Sequence, residues 1–324
     1  MLCDKKISAY KFELTDIFTF VNQKLSVMKR IAIIGYGNIG KYVLEALEVA
    51  PDMEIAGIVR RSVSGEMPLE LTPYKVVTDV KELGKVDGVI LATPSRSVEE
   101  NAKKYLAMGI NTADSFDIHG NIWDLHESLG AVAKANNSVA IISAGWDPGS
   151  DSVIRTLLQA AAPKGLTWTN FGPGMSMGHS VVARSKKGVK NALSMTMPQG
   201  AGIHSRLVYV ELEDGFTAQQ VYDELKADDY FAHDELHVIP VDSVDNCRDM
   251  GHGVLLERKG VSGKTQNQRF KFEMTINNPA LTAQILVGSI RATFKQQPGA
   301  YTMPEVPMMD LLPGDKEQLI RALV

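Results

Sequence analysis

KRIAIIGYGNIGKYVLEALEVAPDMEIAGIVRR, residues 29–61, decides the fold. The apolar run RIAII (30–34) stops at GYGNIG, and KYVLEALEVA (41–50) follows with apolar residues at helical spacing and neither Gly nor Pro. PDM (51–53) supplies a turn, and EIAGIV (54–59) is a second apolar run of strand length. Strand, glycine turn, helix and strand within about 30 residues make a βαβ unit, the size of a mononucleotide-binding half. Gly35, Gly37 and Gly40 form G-x-G-x-x-G. The first glycine allows the tight turn, the second lets the backbone approach a pyrophosphate, and the third lets helix pack on strand. The helix N-terminus adds unpaired N–H groups and the positive end of its dipole. Alone the pattern is common. In this context it predicts a dinucleotide site over Gly35, Tyr36, Gly37, Asn38, Ile39 and Gly40.

The residues after the second strand bear on which dinucleotide. Chains that bind NAD usually place Asp or Glu there, to hold the ribose 2′-hydroxyl. This chain has Arg60, Arg61 and Ser62. A guanidinium can bind a 2′-phosphate bidentately, so the expected cofactor is NADP. The competing reading is a solvated surface pair.

Working outward, apolar runs recur at VDGVILATP (86–94), GINTADSF (109–116) and SVAIISAG (138–145). The helical stretches VEENAKKYLAMG (98–109) and LHESLGAVAKANN (125–137) separate them. This alternation predicts an α/β fold, with a Rossmann-type doubly wound parallel sheet over residues 28–150. After Gly149 the character changes. SDSVIRTLLQAAAP (150–163) reads as a helix. Strand-like runs then dominate: LTWTNFG, NALSMTMP, RLVYVELE, HVIPVD, GVLLER and RFKFEMTI, with one helical segment, TAQQVYDELKADD (217–229). They predict a second, α+β and mostly antiparallel domain over 151–277, for substrate and dimerisation. NPALTAQILVGSIRATFKQQ (278–297) reads as a long amphipathic helix, so that 278–324 returns to pack on the first domain.

Composition narrows the classes of function. The 324 residues are 44% hydrophobic and 22% charged, enough for two globular cores. A net charge of −4 gives no basic field for nucleic acid, and no apolar run reaches the length of a membrane span. Cys3 and Cys247 cannot build a disulfide framework or a four-thiolate metal site, and Cys247 reads as a partly buried small residue. The expected location is cytoplasmic. Residues 1–27 have no long apolar region and read as an extension without chemistry.

Three further features could carry chemistry. His233 and His237 in HDELH have the i, i+4 spacing of metal ligands. The zinc-protease motif needs Glu directly after the first His, where this chain has Asp234, and no third ligand is evident. Two surface histidines and no metal are expected. Asp117 in SFDIH and Asp147 in GWDPG each follow a predicted parallel strand at its carboxyl end, where open α/β sheets place ligands. Two carboxylates beside a cofactor could hold an amine or tune its protonation; the alternative is two turn-forming aspartates.

These residues also carry a family resemblance. GYGNIGKYV, SFDIH, SAGWDPGSDS, NFGPGMSMGHS, MGHGV and INNPALT resemble the meso-diaminopimelate D-dehydrogenases, from about Met28 to the C-terminus. The resemblance implies NADP-dependent oxidative deamination at the D-centre of meso-2,6-diaminopimelate, giving L-2-amino-6-oxopimelate and ammonia. In reverse the reaction serves lysine and cell-wall precursor synthesis. It implies that Asp117, Trp146 and Asp147 surround the reacting end, with Asp117 and Asp147 catalytic. Thr196, Arg206 and His252 match residues that bind the distal L-carboxylate, and Asn278 a further substrate contact. Phe171 and Met177 stand where some relatives carry Trp and Gln, and with Gly178 they complete the expected substrate set. Thr93, Pro94, Ser95, Ser115 and Phe116 extend the expected cofactor contacts. A homodimer or higher homo-oligomer is implied as well.

Overall fold

The computed structural model describes residues 28–64, 67–248 and 251–324. The N-terminal extension with Cys3, and Met250 of MGHGV, lie outside the described residues. The first half runs β1 (Lys29–Ile34), α1 (Asn38–Glu48), β2 (Met53–Val59), β3 (Val76–Val77), β4 (Gly88–Leu91), α2 (Val98–Leu106), β5 (Asn111–Asp114), α3 (Ile122–Ala135) and β6 (Val139–Ile142). Next come α4 (Ser150–Ala161), β7 (Lys164–Phe171), β8 (Gly174–Met175), α5 (Met177–Arg184), β9 (Val189–Gly200) and β10 (Ile203–Leu212). The chain ends with α6 (Ala218–Lys226), β11 (Glu235–Pro240), β12 (Gly251–Ser262), β13 (Gln266–Asn277), α7 (Asn278–Thr293), β14 (Gly299–Thr302) and α8 (Lys316–Leu323).

Seven strands form one parallel sheet in the order β14-β6-β5-β4-β1-β2-β3. Its central strands are apolar on both faces, and this is what makes it doubly wound. In β1, Ile31 and Ile33 point into one core with Val43, Leu44 and Ile290, while Ala32 and Ile34 point into the other with Ala102, Leu106 and Leu129. Fully burying each such branched side chain contributes about 1.5–3 kcal/mol. The chain therefore has a Rossmann-type parallel sheet together with two smaller sheets, ordered β11-β10-β9-β8 and β13-β12-β7. Pairings within the two smaller sheets are antiparallel except β10–β11, which is parallel.

One reading of the sequence needs correction. The helix after β13 is not amphipathic: from Leu286 to Thr293 every residue of α7 is buried. From Leu286 onward it lies between α1 and strands β4, β5 and β6 on one side and the Met308–Leu311 turn on the other, so only its first turns, with Gln284 exposed, meet solvent. Its one charge is neutralised in place, with Arg291 donating to Asp52 at 2.6 and 2.8 Å and to the Leu311 carbonyl at 2.7 Å. Asn278 also belongs to the helix, which has Pro279 in its first turn, where a proline costs no hydrogen bond. The sequence reading further missed β3, α5, β14 and α8, all short and without a full period of apolar residues.

Candidate active site

The glycine turn leaves β1 and opens α1 with little room to spare. Gly35 has φ +93°, and a Cβ there would sit 2.6 Å from the Ala92 carbonyl oxygen. A Cβ on Gly40 would sit 2.6 Å from the Gly35 carbonyl oxygen. Gly37 differs: no atom lies within 4 Å of where its Cβ would be. The first turn of α1 has no side-chain cap and no acidic residue, so no side chain at the helix start accepts from its N–H groups. Beside the turn, Thr93 has a buried hydroxyl without a hydrogen-bond partner, and its methyl lies 3.3 Å from the Gly35 Cβ position. Open backbone, unpaired donors and an orphaned hydroxyl fit a dinucleotide pyrophosphate. Tyr36 leans away and hydrogen-bonds Glu70 at 3.3 Å; burial, then Glu70, push its phenol up to about 12. Arg60 is half-buried and Arg61 exposed beyond β2, followed by Ser62 and Ser64, whose hydroxyls are 2.5 Å apart.

Carboxylates gather at the ends of β5 and β6. Asp117 is exposed and accepts a 2.6 Å hydrogen bond from Ser95, which follows Pro94 in the turn after β4. Its charge also raises the Tyr230 phenol, after burial, so Asp117 faces the second half of the chain. Gly178, in the first turn of α5 after Met177, lies on the same side, its Cβ position 3.6 Å from the Tyr230 ring. Asp147 follows β6 and ion-pairs with Arg155 at 2.6 Å, its own side chain 7% exposed. Arg155 is held in turn by Thr169 of β7 at 3.1 Å. The two aspartate loops share one anchor. Asp114 is wholly buried and accepts from the Phe116 and Ser143 N–H groups, at 3.0 Å each. Burial pushes its carboxyl up to about 6, against the pull of those two donors.

Trp146 brings the halves of the chain together. Its ring lies 5.7 Å from Phe171, edge on, and 4.9 Å from His252. Phe171 packs in turn on His204, whose Nε2 accepts from the Phe171 N–H at 2.8 Å. Thr196 and Arg206 are direct cross-strand partners on β9 and β10, and the guanidinium donates to the Thr196 hydroxyl. Gly172 closes this side: at φ +95° its Cβ would fall 2.2 Å from the Thr196 carbonyl oxygen, so FGPG packs directly on that strand. Gly251, next to His252, pairs with Asn277, which sets Asn278 at the start of α7 close by. Ser115 and Thr282 both lie 3.7 Å from the Gly145 Cβ position, so α7 also meets the β5 and β6 loops.

Comparison with known proteins agrees with this geometry. Residues 145–278 match the family model described as diaminopimelic acid dehydrogenase C-terminal domain. Residues 29–113 match that of the oxidoreductase family with an NAD-binding Rossmann fold. Over 295 residues, 91% of this chain and 99% of the other, the sequence is 64% identical to meso-diaminopimelate D-dehydrogenase of Bacteroides fragilis. The chain belongs to the meso-diaminopimelate D-dehydrogenase family. The enzyme of that name from Ureibacillus thermosphaericus is 32% identical, over 91% of this chain and 99% of its own. Among solved structures, the C. glutamicum DAP dehydrogenase in complex with DAP superposes with a TM-score of 0.83 at 28% identity, covering 91% of this chain and 99% of that one. An engineered D-amino acid dehydrogenase bound to NADP+ reaches 0.78 at 27% identity, covering 92% and 100%.

Within this meso-diaminopimelate dehydrogenase family member, several polar residues escaped the sequence reading. Asp114, Asp151 and Arg155 sit behind the two loop aspartates, and Asp234 pairs with Arg206 at 2.6 Å. A signal existed for two of them: Asp147, Asp151 and Arg155 recur every four residues across a helix start, the spacing of one helix face. HDELH proves not to be helical. His233 lies in a turn and His237 in β11, both exposed, so they do not share a helix face. Among the described residues no cluster of three metal-ligating side chains exists, and no helix is long and apolar enough to cross a membrane. His179 is half-buried, held between the Ser176 hydroxyl and the Tyr230 carbonyl, and desolvation followed by the Arg206 charge lowers its pKa to about 4.

Proposed function

We propose that this chain catalyses NADP-dependent oxidative deamination of the D-centre of meso-2,6-diaminopimelate, yielding L-2-amino-6-oxopimelate and ammonia. One observation carries the reading. Two carboxylates at the ends of β5 and β6 and an arginine–threonine–histidine set on β9, β10 and β12 are joined by the Trp146, Phe171 and His252 rings. An acidic end suits an amine and a basic end suits a carboxylate, as a long amino-dicarboxylate requires.

The cofactor reading rests on the open Gly37 turn, with Arg60, Arg61, Ser62 and Ser64 offering charge and hydroxyls to a 2′-phosphate. Thr93 beside the Gly35 turn, with Pro94, Ser95, Ser115 and Phe116 at the ends of β4 and β5, extends the proposed cofactor contacts. A bound nicotinamide supplies the hydride acceptor. The chain's own residues do the rest. Arg206, Thr196 and His252 hold the distal L-carboxylate, and Asn278 adds a polar contact at the same end. Trp146 and Phe171 line the aliphatic span and exclude water. Asp147, clamped by Arg155, is a fixed negative charge that stabilises the cation developing on nitrogen. Asp117, exposed and holding a single hydroxyl donor, takes the proton from the water that attacks the iminium carbon. The carbon–oxygen bond forms and gives a neutral amino alcohol; the proton on Asp117 then passes to its nitrogen, the hydroxyl gives up its proton as the carbonyl forms, the carbon–nitrogen bond breaks, and ammonia leaves.

The test is a stereoisomer comparison, followed by NADPH absorbance. Meso-diaminopimelate should be oxidised. The L,L isomer, which has no D-centre, should not, and the D,D isomer should lag because its distal end meets Arg206 with the wrong hand. Good turnover of another amino acid with none of meso-diaminopimelate would overturn the assignment. The same reading places the chain in lysine and diaminopimelate synthesis, in a cytoplasmic, reducing setting. It also makes the chain a homodimer: β13 is a 12-residue edge strand with no partner on its outer side among the described residues, and long bare edges are usually covered.

A further inference from the structure

Behind Asp147 lies a second carboxyl that the mechanism leaves unused. Asp151 is wholly buried in the first turn of α4, and neither of its oxygens hydrogen-bonds another group among the described residues. Its nearest cation is Arg155, at 3.9 Å, but that guanidinium reaches Asp147 at 2.6 Å and spends its Nε on Thr169. Among the described residues the elements packed on α4 offer no other counter-charge. Glu305 in the Met303–Glu305 turn lies 3.4 Å from His126, and Arg258 of β12 donates to the Ala162 carbonyl. One guanidinium thus serves two buried carboxyls, and an unpaired charge in that setting is costly. Burial first, and the Asp147 charge second, push the Asp151 carboxyl up to about 7, with Arg155 pulling the other way.

We propose that Asp151 is a positioning residue for Asp147: held protonated, it leaves Arg155 to Asp147 alone and so fixes the charge and direction of the carboxylate beside the reacting amine. The inference rests on the reading of Asp147 given above. When Asp151 loses its proton to solvent, two carboxylates compete for one guanidinium and the 2.6 Å clamp on Asp147 is shared.

The test compares wild type with Asp151→Asn, which is neutral at every pH and nearly the same shape. The ratio of the variant's kcat to that of wild type, measured with meso-diaminopimelate, should rise several-fold between about pH 6 and about pH 8.5. Taking a ratio cancels the titration of the substrate amine. Melting temperature gives a readout independent of turnover. The unfolded chain releases the Asp151 proton in the ordinary carboxylate range and the folded chain only near neutrality, so wild type loses stability as pH rises through that window. The variant should escape this loss, gaining about 2–4 °C or more on wild type between the same pH values. A flat kcat ratio overturns the positioning role, and parallel melting curves overturn the buried proton. Absence of meso-diaminopimelate oxidation by wild type would instead strike the functional reading, while the melting curves still report on the carboxyl. Asp151→Ser, shorter and equally neutral, carries the same measurements if the Asn variant does not fold.

Discussion

Arg206 is already paired inside the chain: its Nε donates to Asp234 Oδ2 at 2.6 Å, with both side chains at least three-quarters buried. On the proposed reading, the pair sets how the arginine meets a substrate. Nε and Nη1 are taken by Asp234 and Thr196, which orients the guanidinium and leaves the remaining N–H groups for a carboxylate. Replacing Arg206 with Met should raise KM for meso-diaminopimelate by about a hundredfold or more, since losing one partner of a buried charge pair costs about 2–5 kcal/mol. Part of that cost is Asp234 left unpaired. The double change Arg206→Met, Asp234→Asn should therefore recover stability lost by the single variant without recovering affinity. Steady-state kinetics and thermal melts of the three variants separate the two effects; a double variant that regains affinity would remove Arg206 from the substrate site.

The glycine turn makes a sharper prediction about where space is used. Gly37→Ala places its methyl in open space at an ordinary φ of −96°, so the fold should keep its melting temperature. The methyl would stand where a pyrophosphate must approach, and the KM for the dinucleotide should rise at least tenfold. Gly40→Ala instead drives a methyl to 2.6 Å from the Gly35 carbonyl and should destabilise the fold by about 1–3 kcal/mol, the usual cost of overpacking. Melting curves with and without dinucleotide distinguish the two. A Gly37→Ala enzyme with unchanged cofactor KM would mean that the phosphates lie elsewhere.

Much of this was legible in the sequence, and the gaps have a common cause. The parallel half could be read because local pattern and tertiary role coincide there: RIAII must be a buried strand, and GYGNIG must turn. The helical spacing of α7 was readable but its face was misjudged, because burial of Leu286–Thr293 on every side depends on what packs from the Met308–Leu311 turn, far along the chain. HDELH has helical spacing and is a turn and a strand, since pairing of β11 with β10 outweighs a five-residue pattern. Asp117 and Asp147 stood out by position after strands. Asp114 and Asp234 did not, because their partners are two loop amides and an arginine 28 residues away, contacts that only the folded chain creates.

On the proposed reading, Arg60 and Arg61 after β2 are what favour NADP over NAD. Converting Arg60 and Arg61 together to Ala removes two cations from a partly exposed site and touches no ion pair among the described residues. KM for NADP+ should rise about ten- to hundredfold, as expected for about 1.5–3 kcal/mol of charge-assisted hydrogen bonding, while KM for NAD+ changes little. Raising the salt concentration should narrow the difference between wild type and variant, because exposed charges are screened. An equal effect on both cofactors would mean that the pair is solvated surface.

The two loop aspartates should fail in different ways. Asp147→Asn keeps the shape but removes the charge proposed to face the amine and leaves Arg155 without its 2.6 Å partner, so kcat should fall by about 10²–10⁴. Asp117→Asn cannot accept a proton and should fall within the same range. The distinction lies in their supports. Ser95→Ala removes one 2.6 Å donor from Asp117, worth about 1 kcal/mol net, and should lower kcat about fivefold with the pH profile otherwise retained. Arg155→Met takes the one cation from Asp147 and should cost both stability and kcat, because that buried carboxylate then stands beside Asp151 with no counter-charge. Kinetics across pH with all four variants tests the division of roles. If Ser95→Ala proved as damaging as Asp117→Asn, Ser95 would touch the reacting atoms itself, and the water-activating role would pass to the Ser95–Asp117 pair rather than to the carboxylate alone.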